Sequence, residues 1–515
     1  MVVPMQIKFV ESEPVTLTAA TVPYMVSVQG SLEFAFLITE DDGDVVALSP
    51  YEFACREASC RPPTSGGTGG TSKRSAGHVG TILPSSKGGG DPHGRTRPME
   101  RESASDEFWN DTMVKSANAS GCASGAKTGD DVVDQFTANA SKLYEVMDNH
   151  GNAVTQEIIG NAGLWYPAAG AIAAERAGPA GMRVETSVAV LSALSPGHDW
   201  DSNIREHEIV MSVVTRNKPI QGAAVGAVMK SIFEGQLAAA KTDKQKANSL
   251  AKIAEVDAMM KKADGKPFNS LSVEDRARIL KAHAIVTGES FEMQKWVMGR
   301  DGVAHVDGMR YTQSGEVRKI NFQTENTWKK IFKLTDADAA YQADQSPAKA
   351  ARHSQALSEA LGAGAKVRSF NNNIGSPNSD SRDATVDTHA TSVVVGRRVS
   401  ISSPEYSAMS GGASSGGDGL KGPYIAAVMA YRNVGDARGI LPRQTQSETW
   451  MGQKGINDYL DGSPATSQIR SVLSNPKKLA KLPPAAQKYW EEELKIRESF
   501  GAMVTSAREA GYNIS

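Results

Sequence analysis

Two stretches in the last third of the chain carry residue types suited to chemistry. Leu361–Gly375 reads LGAGAKVRSFNNNIG, and Ala384–Arg398 reads ATVDTHATSVVVGRR. Gly362 and Gly364 lie two apart ahead of a helical run, the kind of turn whose backbone amides approach a phosphate closely because no side chain intervenes. Asp387 and His389 place a carboxylate and an imidazole at the start of an apolar, β-branched run. Such a carboxylate can stabilise developing positive charge or orient a nucleophile. It can equally cap a helix beginning at Thr388, with His389 only packing.

The elements that must position these groups are mostly helical. Apolar residues recur at three- and four-residue steps through Asp130–Gly160, where Val132, Val133, Phe136, Ala140, Leu143, Val146 and Met147 mark one or two amphipathic helices. Trp165–Arg176, Thr186–Ser195 and Arg205–Thr215 follow, separated by Pro or Gly. Gln236–Lys262 reads as one long Ala- and Lys-rich helix, and Val273–Val286 as another, with Ser272 and Asp275 as its cap. The last forty residues, from Asn475, read as a helix. Before all of these, Met5–Ser49 alternates short apolar runs (IKFV, YMVSV, LEFAFLI, DVVAL) with polar breaks, and DDGD is a hairpin turn signal.

The resulting organisation is a small β module at 1–55 and a Gly/Pro/Ser-rich basic linker at 56–105, expected to be disordered. A first part of a helical core at 106–215 and an inserted helical subdomain at 216–325 come next. The chemistry-bearing segment spans 326–409, a flexible loop 410–422, and carboxy-terminal helices 423–515. The linker holds eight Lys or Arg against three acids between 56 and 101, a composition that cannot bury a core. It reads either as a tether or as an electrostatic arm for nucleic acid.

Composition narrows the function classes. The chain has 515 residues and 56 basic against 58 acidic residues, so any basic surface must be local. Its three cysteines, Cys55, Cys60 and Cys122, exclude a disulfide framework or a four-thiolate metal site within one chain. No run is long enough to span a membrane and the amino terminus lacks the order of a secretion signal, which points to an intracellular soluble protein or one packaged without a signal. A metal cluster from His198, Asp199, Asp201, His207 and Glu208 would need three or four of these side chains to converge; a polar turn and an exposed helix start explain them more simply. Neither metal nor cofactor is expected.

Three ordered segments together resemble the helix-hairpin-helix DNA glycosylases, the family of endonuclease III and 8-oxoguanine DNA glycosylase. VAVLSALSPGHDWDSNI (Val188–Ile204) is similar to the family's early helix and the turn after it. Gly362-Ala363-Gly364-Ala365-Lys366 matches its Gly-x-Gly-x-Lys hairpin, and Val386-Asp387-Thr388-His389 its Val-Asp-Thr-His tetrad. The resemblance implies a helix-hairpin-helix core, with Lys366 as a nucleophile on the anomeric carbon and Asp387 as the catalytic carboxylate. It also implies DNA as partner, contacted by Gly362, Gly364, Arg368, His389, Arg397 and Arg398. A flipped base would enter a pocket lined by Trp165, Tyr166 and Trp200.

The departures are equally specific. Residues 215–360 are far longer than the corresponding family segment, Leu361 runs directly into Gly362 without the family's Pro, and no cysteine follows Cys122 to hold an iron–sulfur cluster. Pro423–Gly452, with Tyr424, Tyr431, Arg432, Gln444, Gln446 and Trp450, together with Trp165-Tyr166-Pro167, resembles bacteriophage proteins in which this core has diverged. That likeness implies a phage-encoded protein of the host cytoplasm, with virion association through the β module and linker. Three activities compete: base excision, hypermodification of a base, and non-enzymatic DNA or virion binding in which the hairpin only grips phosphate.

Overall fold

The computed structural model describes residues 104–299, 302–362, 364–376, 383–409, 422–462 and 464–514, with Arg101 and the backbone of three strands near the amino terminus. The chain divides into two units, 1–69 and 70–515. In the first, Tyr24–Val28, Ser31–Thr39 and Val45–Leu48 pair antiparallel in chain order. Thr39 pairs with Val45, the register of a hairpin across the DDGD stretch. The Ile7–Val10 run, the DDGD residues, Cys55, Cys60, nearly all of the basic linker and the 410–421 loop lie outside the described residues.

The second unit is mostly helical. Gly129–His150 starts with a capping box, Asp131 N–H donating to Thr128 Oγ1 at 3.1 Å while Asp131 Oδ2 accepts from Thr128 N–H at 2.9 Å. Its face of Val132, Phe136, Ala140, Leu143 and Met147 is buried against Thr388–Val395, Tyr424–Arg438, Pro442–Asp461 and Gly501–Glu509. Val386, Ala390, Val393, Tyr424 and Tyr431 belong to the same core, which therefore fixes where residue 387 stands.

A second core joins Val184–Ala193, Trp200–Arg216, Gly222–Ala239, Asp243–Ala263, Val273–Val286 and Glu325–Ala343. Residues 216–325 do not close on themselves: Val225, Met229, Phe268 and Leu280 pack in one cluster with Leu194, Val210, Trp328 and Phe332. The long helix expected at 236–262 is two helices. Gly222–Ala239 ends before Thr242, which opens Asp243–Ala263 by accepting from Gln245 N–H at 3.2 Å, while Gln245 Oε1 takes the amides of Lys241 and Thr242. An even Ala and Lys composition hid this break, because nothing in it but one threonine stops a helix. Gly226 lets the pair close up, since a Cβ there would lie 3.1 Å from Met260 Cγ.

Two further departures concern short elements. Gln294–Met298 and Ala304–Met309 form an antiparallel hairpin where helix was expected. The last forty residues form Pro476–Leu479, Pro484–Ser499 and Gly501–Glu509, divided at Pro483-Pro484 and Phe500-Gly501. Cys122 is buried and unbridged, and burial pushes its thiol up to about 11. Among the described residues, no helix is long and apolar enough to cross a membrane.

Candidate functional site

A small third cluster decides the geometry of the site. Tyr166, Ile172, Leu191, Ile204 and Ile374 pack together, with Trp200 and Phe370 against them. Trp165–Ala177, Val184–Ala193, Trp200–Arg216 and Ala365–Gly375 thereby meet at one place, although nearly two hundred residues of sequence separate the first from the last.

Asp387 stands at the N-cap of Thr388–Val395. Its Oδ1 accepts from Ala390 N–H at 2.9 Å and its Oδ2 from the Trp450 indole Nε1–H at 2.8 Å. Both carboxylate oxygens thus face donors at the amino end of the helix. The cap and the indole together fix the orientation of the carboxylate.

Around it runs a row of half-exposed aromatic rings. Trp165 stacks on Trp200 with centroids 5.3 Å apart and a 23° interplanar angle, and meets Trp450 at 5.2 Å. His389 sits edge-on to Trp450 at 5.2 Å, and its Nδ1 accepts from Asn457 Nδ2 at 3.3 Å. Burial holds the His389 imidazole below the usual histidine range; the Asp387 and Asp458 carboxylates oppose this, and the Lys454 and Lys366 ammoniums add to it.

Gly362 and Gly364 lie between Pro347–Leu361 and Ala365–Gly375. Gly362 has φ +71° and ψ −168°, a region essentially closed to other residues, and a Cβ there would meet nothing. Gly364 is the N-cap of Ala365–Gly375, whose first amides receive no side-chain cap. Lys366, half-buried, lies in that first turn.

Arg368 behaves differently from the expectation. It is buried, and its guanidinium donates from Nε to the Gly362 carbonyl at 2.7 Å, with a second bond from Nη2. Burial lowers it to about 10. It is turned inward onto the Gly362 carbonyl rather than outward, where a DNA contact was expected. Arg397 and Arg398 lie beyond the opposite end of the Asp387 helix, where Arg397 pairs with Glu405 at 2.5 Å and Arg398 with Asp461. The five groups from His198 to Glu208 separate: Asp199 caps its helix, Asp201 binds Arg310, and Glu208 meets Arg205 at 2.7 Å. His198 faces Glu206 at 3.0 Å, while His207 lies 3.2 Å from Ser187 Oγ and from Arg176.

Beneath the aromatic row lies a buried polar layer that sequence reasoning did not place. Tyr166 donates to Gln446 Oε1 at 2.6 Å, and Asn373 Nδ2 to Thr385 Oγ1 at 3.0 Å. Asp383 accepts from Ser369 Oγ at 3.1 Å, Asn372 Nδ2 at 3.0 Å and Ala384 N–H at 3.0 Å. Burial raises the Asp383 carboxyl, and these donors work against the rise. Gln446, Trp450, Gln453 and Asn457 fall at steps of four, three and four along Pro442–Asp461, so one helix face serves Tyr166, Asp387, Tyr512 and His389 in turn. That spacing was the available signal.

A model described as a family of unknown function (DUF7178) matches residues 133–300. This stretch supplies Trp165, Tyr166 and Trp200 but neither Lys366 nor Asp387. No curated protein and no solved structure matches the chain.

Proposed function

We propose that this protein processes bases in DNA on a glycosylase-like helical scaffold, with Asp387 and Lys366 as the reacting pair. The observation that carries the reading is the position of Asp387. Its carboxylate is held by Ala390 N–H and the Trp450 indole at the foot of the Trp200–Trp165–Trp450 row. Half-exposed indoles are the surface on which an unstacked base rests. A fixed carboxylate beside the sugar stabilises the cationic character that develops as the N-glycosidic bond breaks.

In this mechanism Lys366 Nζ, freed of a proton, forms a bond to the anomeric carbon. The electron pair of the breaking C–N bond leaves on the base, which is protonated as it departs. Opening of the sugar ring then gives a Schiff base at Lys366. Borohydride with DNA carrying damaged or modified bases should therefore trap a covalent adduct that Lys366→Ala abolishes. No adduct and no Asp387-dependent base release across a broad panel would refute excision.

The cap itself favours a second reading, in which Asp387 is structural and the hairpin only grips phosphate. In that case Asp387→Asn keeps both folding and function while Lys366→Ala weakens DNA binding. Loss of function in a folded Asp387→Asn protein with normal DNA affinity excludes it. Hypermodification in place of excision would appear as a changed nucleoside profile of phage DNA when the gene is removed.

A further inference from the structure

Trp450 touches two side chains of one helix turn. Its indole N–H donates to Asp387 Oδ2 at 2.8 Å, and its ring centroid lies 5.2 Å from that of His389, with the planes 86° apart. His389 is half-buried, and its Nδ1 faces the Asn457 amide. Its Nε2 has no hydrogen-bond partner among the described residues and is not one of the sealed, unsatisfied buried atoms, so it opens to solvent.

What Nε2 offers depends on which ring nitrogen carries the hydrogen, and a chain of side chains decides that. Asn457 Nδ2 lies 3.3 Å from His389 Nδ1, Gln453 Nε2 donates to Asn457 Oδ1 at 3.0 Å, and the buried Tyr512 hydroxyl donates to Gln453 Oε1 at 2.9 Å. The Ser392 and Val393 carbonyls also lie 3.0 and 3.4 Å from the Tyr512 oxygen, but at the end of their helix they already accept the Gly396 and Arg397 amides. The hydroxyl hydrogen therefore goes to Gln453 Oε1, each amide donates toward the ring, and Nδ1 accepts. A neutral imidazole that accepts at Nδ1 carries its hydrogen on Nε2. Burial holds the ring below the usual histidine range, so near pH 7 it is neutral. The tail that carries Tyr512 is pinned to the far end of the same helix, Asn513 N–H donating to the Gly396 carbonyl and Arg398 N–H to the Asn513 carbonyl, both at 3.2 Å.

We propose, building on the base-processing reading, that His389 is a further catalytic residue whose Nε2–H donates to the departing base, with Asn457, Gln453 and Tyr512 as the positioning residues that keep the hydrogen there. As the C–N bond breaks, its electron pair goes to the base. The hydrogen stays covalently on Nε2 and offsets the new negative charge through its hydrogen bond, while water supplies the proton that the base takes up. Asp387 answers the opposite charge, on the sugar. Two residues of one helix turn, both against Trp450, thus serve the two ends of the breaking bond.

The test uses the full chain. NMR of the imidazole nitrogens in histidine-labelled protein identifies the tautomer without any substrate, the His389 signal being the one lost in His389→Phe. The wild type should carry the hydrogen on Nε2. Asn457→Asp sets a carboxylate, which can only accept, beside Nδ1 and should put a hydrogen on that nitrogen. Tyr512→Phe frees the Gln453 amide to turn over and should give a mixture of tautomers. Borohydride trapping on duplexes carrying one uracil, 8-oxoguanine or thymine glycol supplies the chemical arm. His389→Phe should trap about a hundred-fold more slowly at unchanged DNA affinity, and His389→Gln, whose amide restores an N–H near the Nε2 position, should recover about ten-fold of that. A wild-type hydrogen on Nδ1, an unmoved tautomer in either folded relay variant, or a His389→Phe protein that traps as fast as wild type overturns the proposal and leaves Lys366 and Asp387 as they stand. A wild type that traps on no duplex refutes excision and this role together.

Discussion

The Trp450 indole donates to Asp387 Oδ2 at 2.8 Å, tying the carboxylate to a helix sixty-three residues further along the chain. The bond makes one side chain both a wall of the aromatic row and the clamp on the charged group beside it. Asp387→Asn keeps the cap through Oδ1 but turns an NH2 toward the Trp450 N–H, so it should cost about 1 kcal/mol. It removes the charge, however, and adduct trapping should fall by about a hundred-fold or more. Asp387→Ala loses the cap as well and should cost about 1–2 kcal/mol in denaturant melts. Equal trapping by wild type and Asp387→Asn would remove Asp387 from the chemistry.

Trp450→Phe separates the clamp from the wall. The ring is retained, but Oδ2 loses its donor in a half-buried setting, which should destabilise the protein by about 1–2 kcal/mol. Base binding through stacking should survive better than trapping does. If binding and trapping fall in parallel, the indole N–H has no role beyond packing.

The two hairpin glycines should respond very differently to a methyl group. Gly364 has φ −73° with open space around it, so Gly364→Ala should cost only what Ala loses to Gly as an N-cap, under about 1 kcal/mol. Gly362 also has open space, but φ +71° with ψ −168° strains any side chain, and Gly362→Ala should cost about 1–3 kcal/mol. The strain would fall on the carbonyl that Arg368 holds, so phosphate binding should weaken with it. Matching melts for the two variants would contradict the described turn.

How much of this was legible in the sequence depends on the range of the interaction that decides it. Gly362 and Asp387 were readable because backbone conformation and capping are local: a glycine ahead of a helix and an aspartate three residues before the amide it accepts leave a signature within a few positions. The hairpin residues were equally plain, but Arg368 was not, since its type advertises a surface cation and only the fold shows it turned onto the Gly362 carbonyl. Gln446 and Trp450 stood out within their segment, yet their partners Tyr166 and Asp387 lie 280 and 63 residues away. Periodicity on Pro442–Asp461 shows that a face exists and says nothing of what it meets. The two-helix break at Thr242 was lost for the opposite reason, a capping box embedded in a composition that favours helix on both sides.

A final prediction concerns pH. His283 is buried, stacked on Phe268 with centroids 5.2 Å apart, and its Nδ1 has no hydrogen-bond partner. Burial, aided by the Lys218 charge, lowers it from about 6.5 to about 4. A depressed folded value means that the unfolded chain takes up the proton first. His283 therefore adds no penalty above about pH 6.5 and progressively destabilises the fold as pH falls from there to about 4, below which both states are protonated and the loss is complete. His207, His353 and His389 shift in the same direction, whereas the raised carboxyls of Asp201, Glu206, Asp383 and Glu448 act oppositely, so the whole-protein profile mixes signs. The clean readout is a difference. His283→Phe preserves an aromatic ring against Phe268 and removes the titrating group, so its stability relative to wild type should rise steadily between pH 6.5 and 4 in urea melts. A constant difference across that window would mean that the imidazole is protonated in the folded protein and reaches a partner or solvent there.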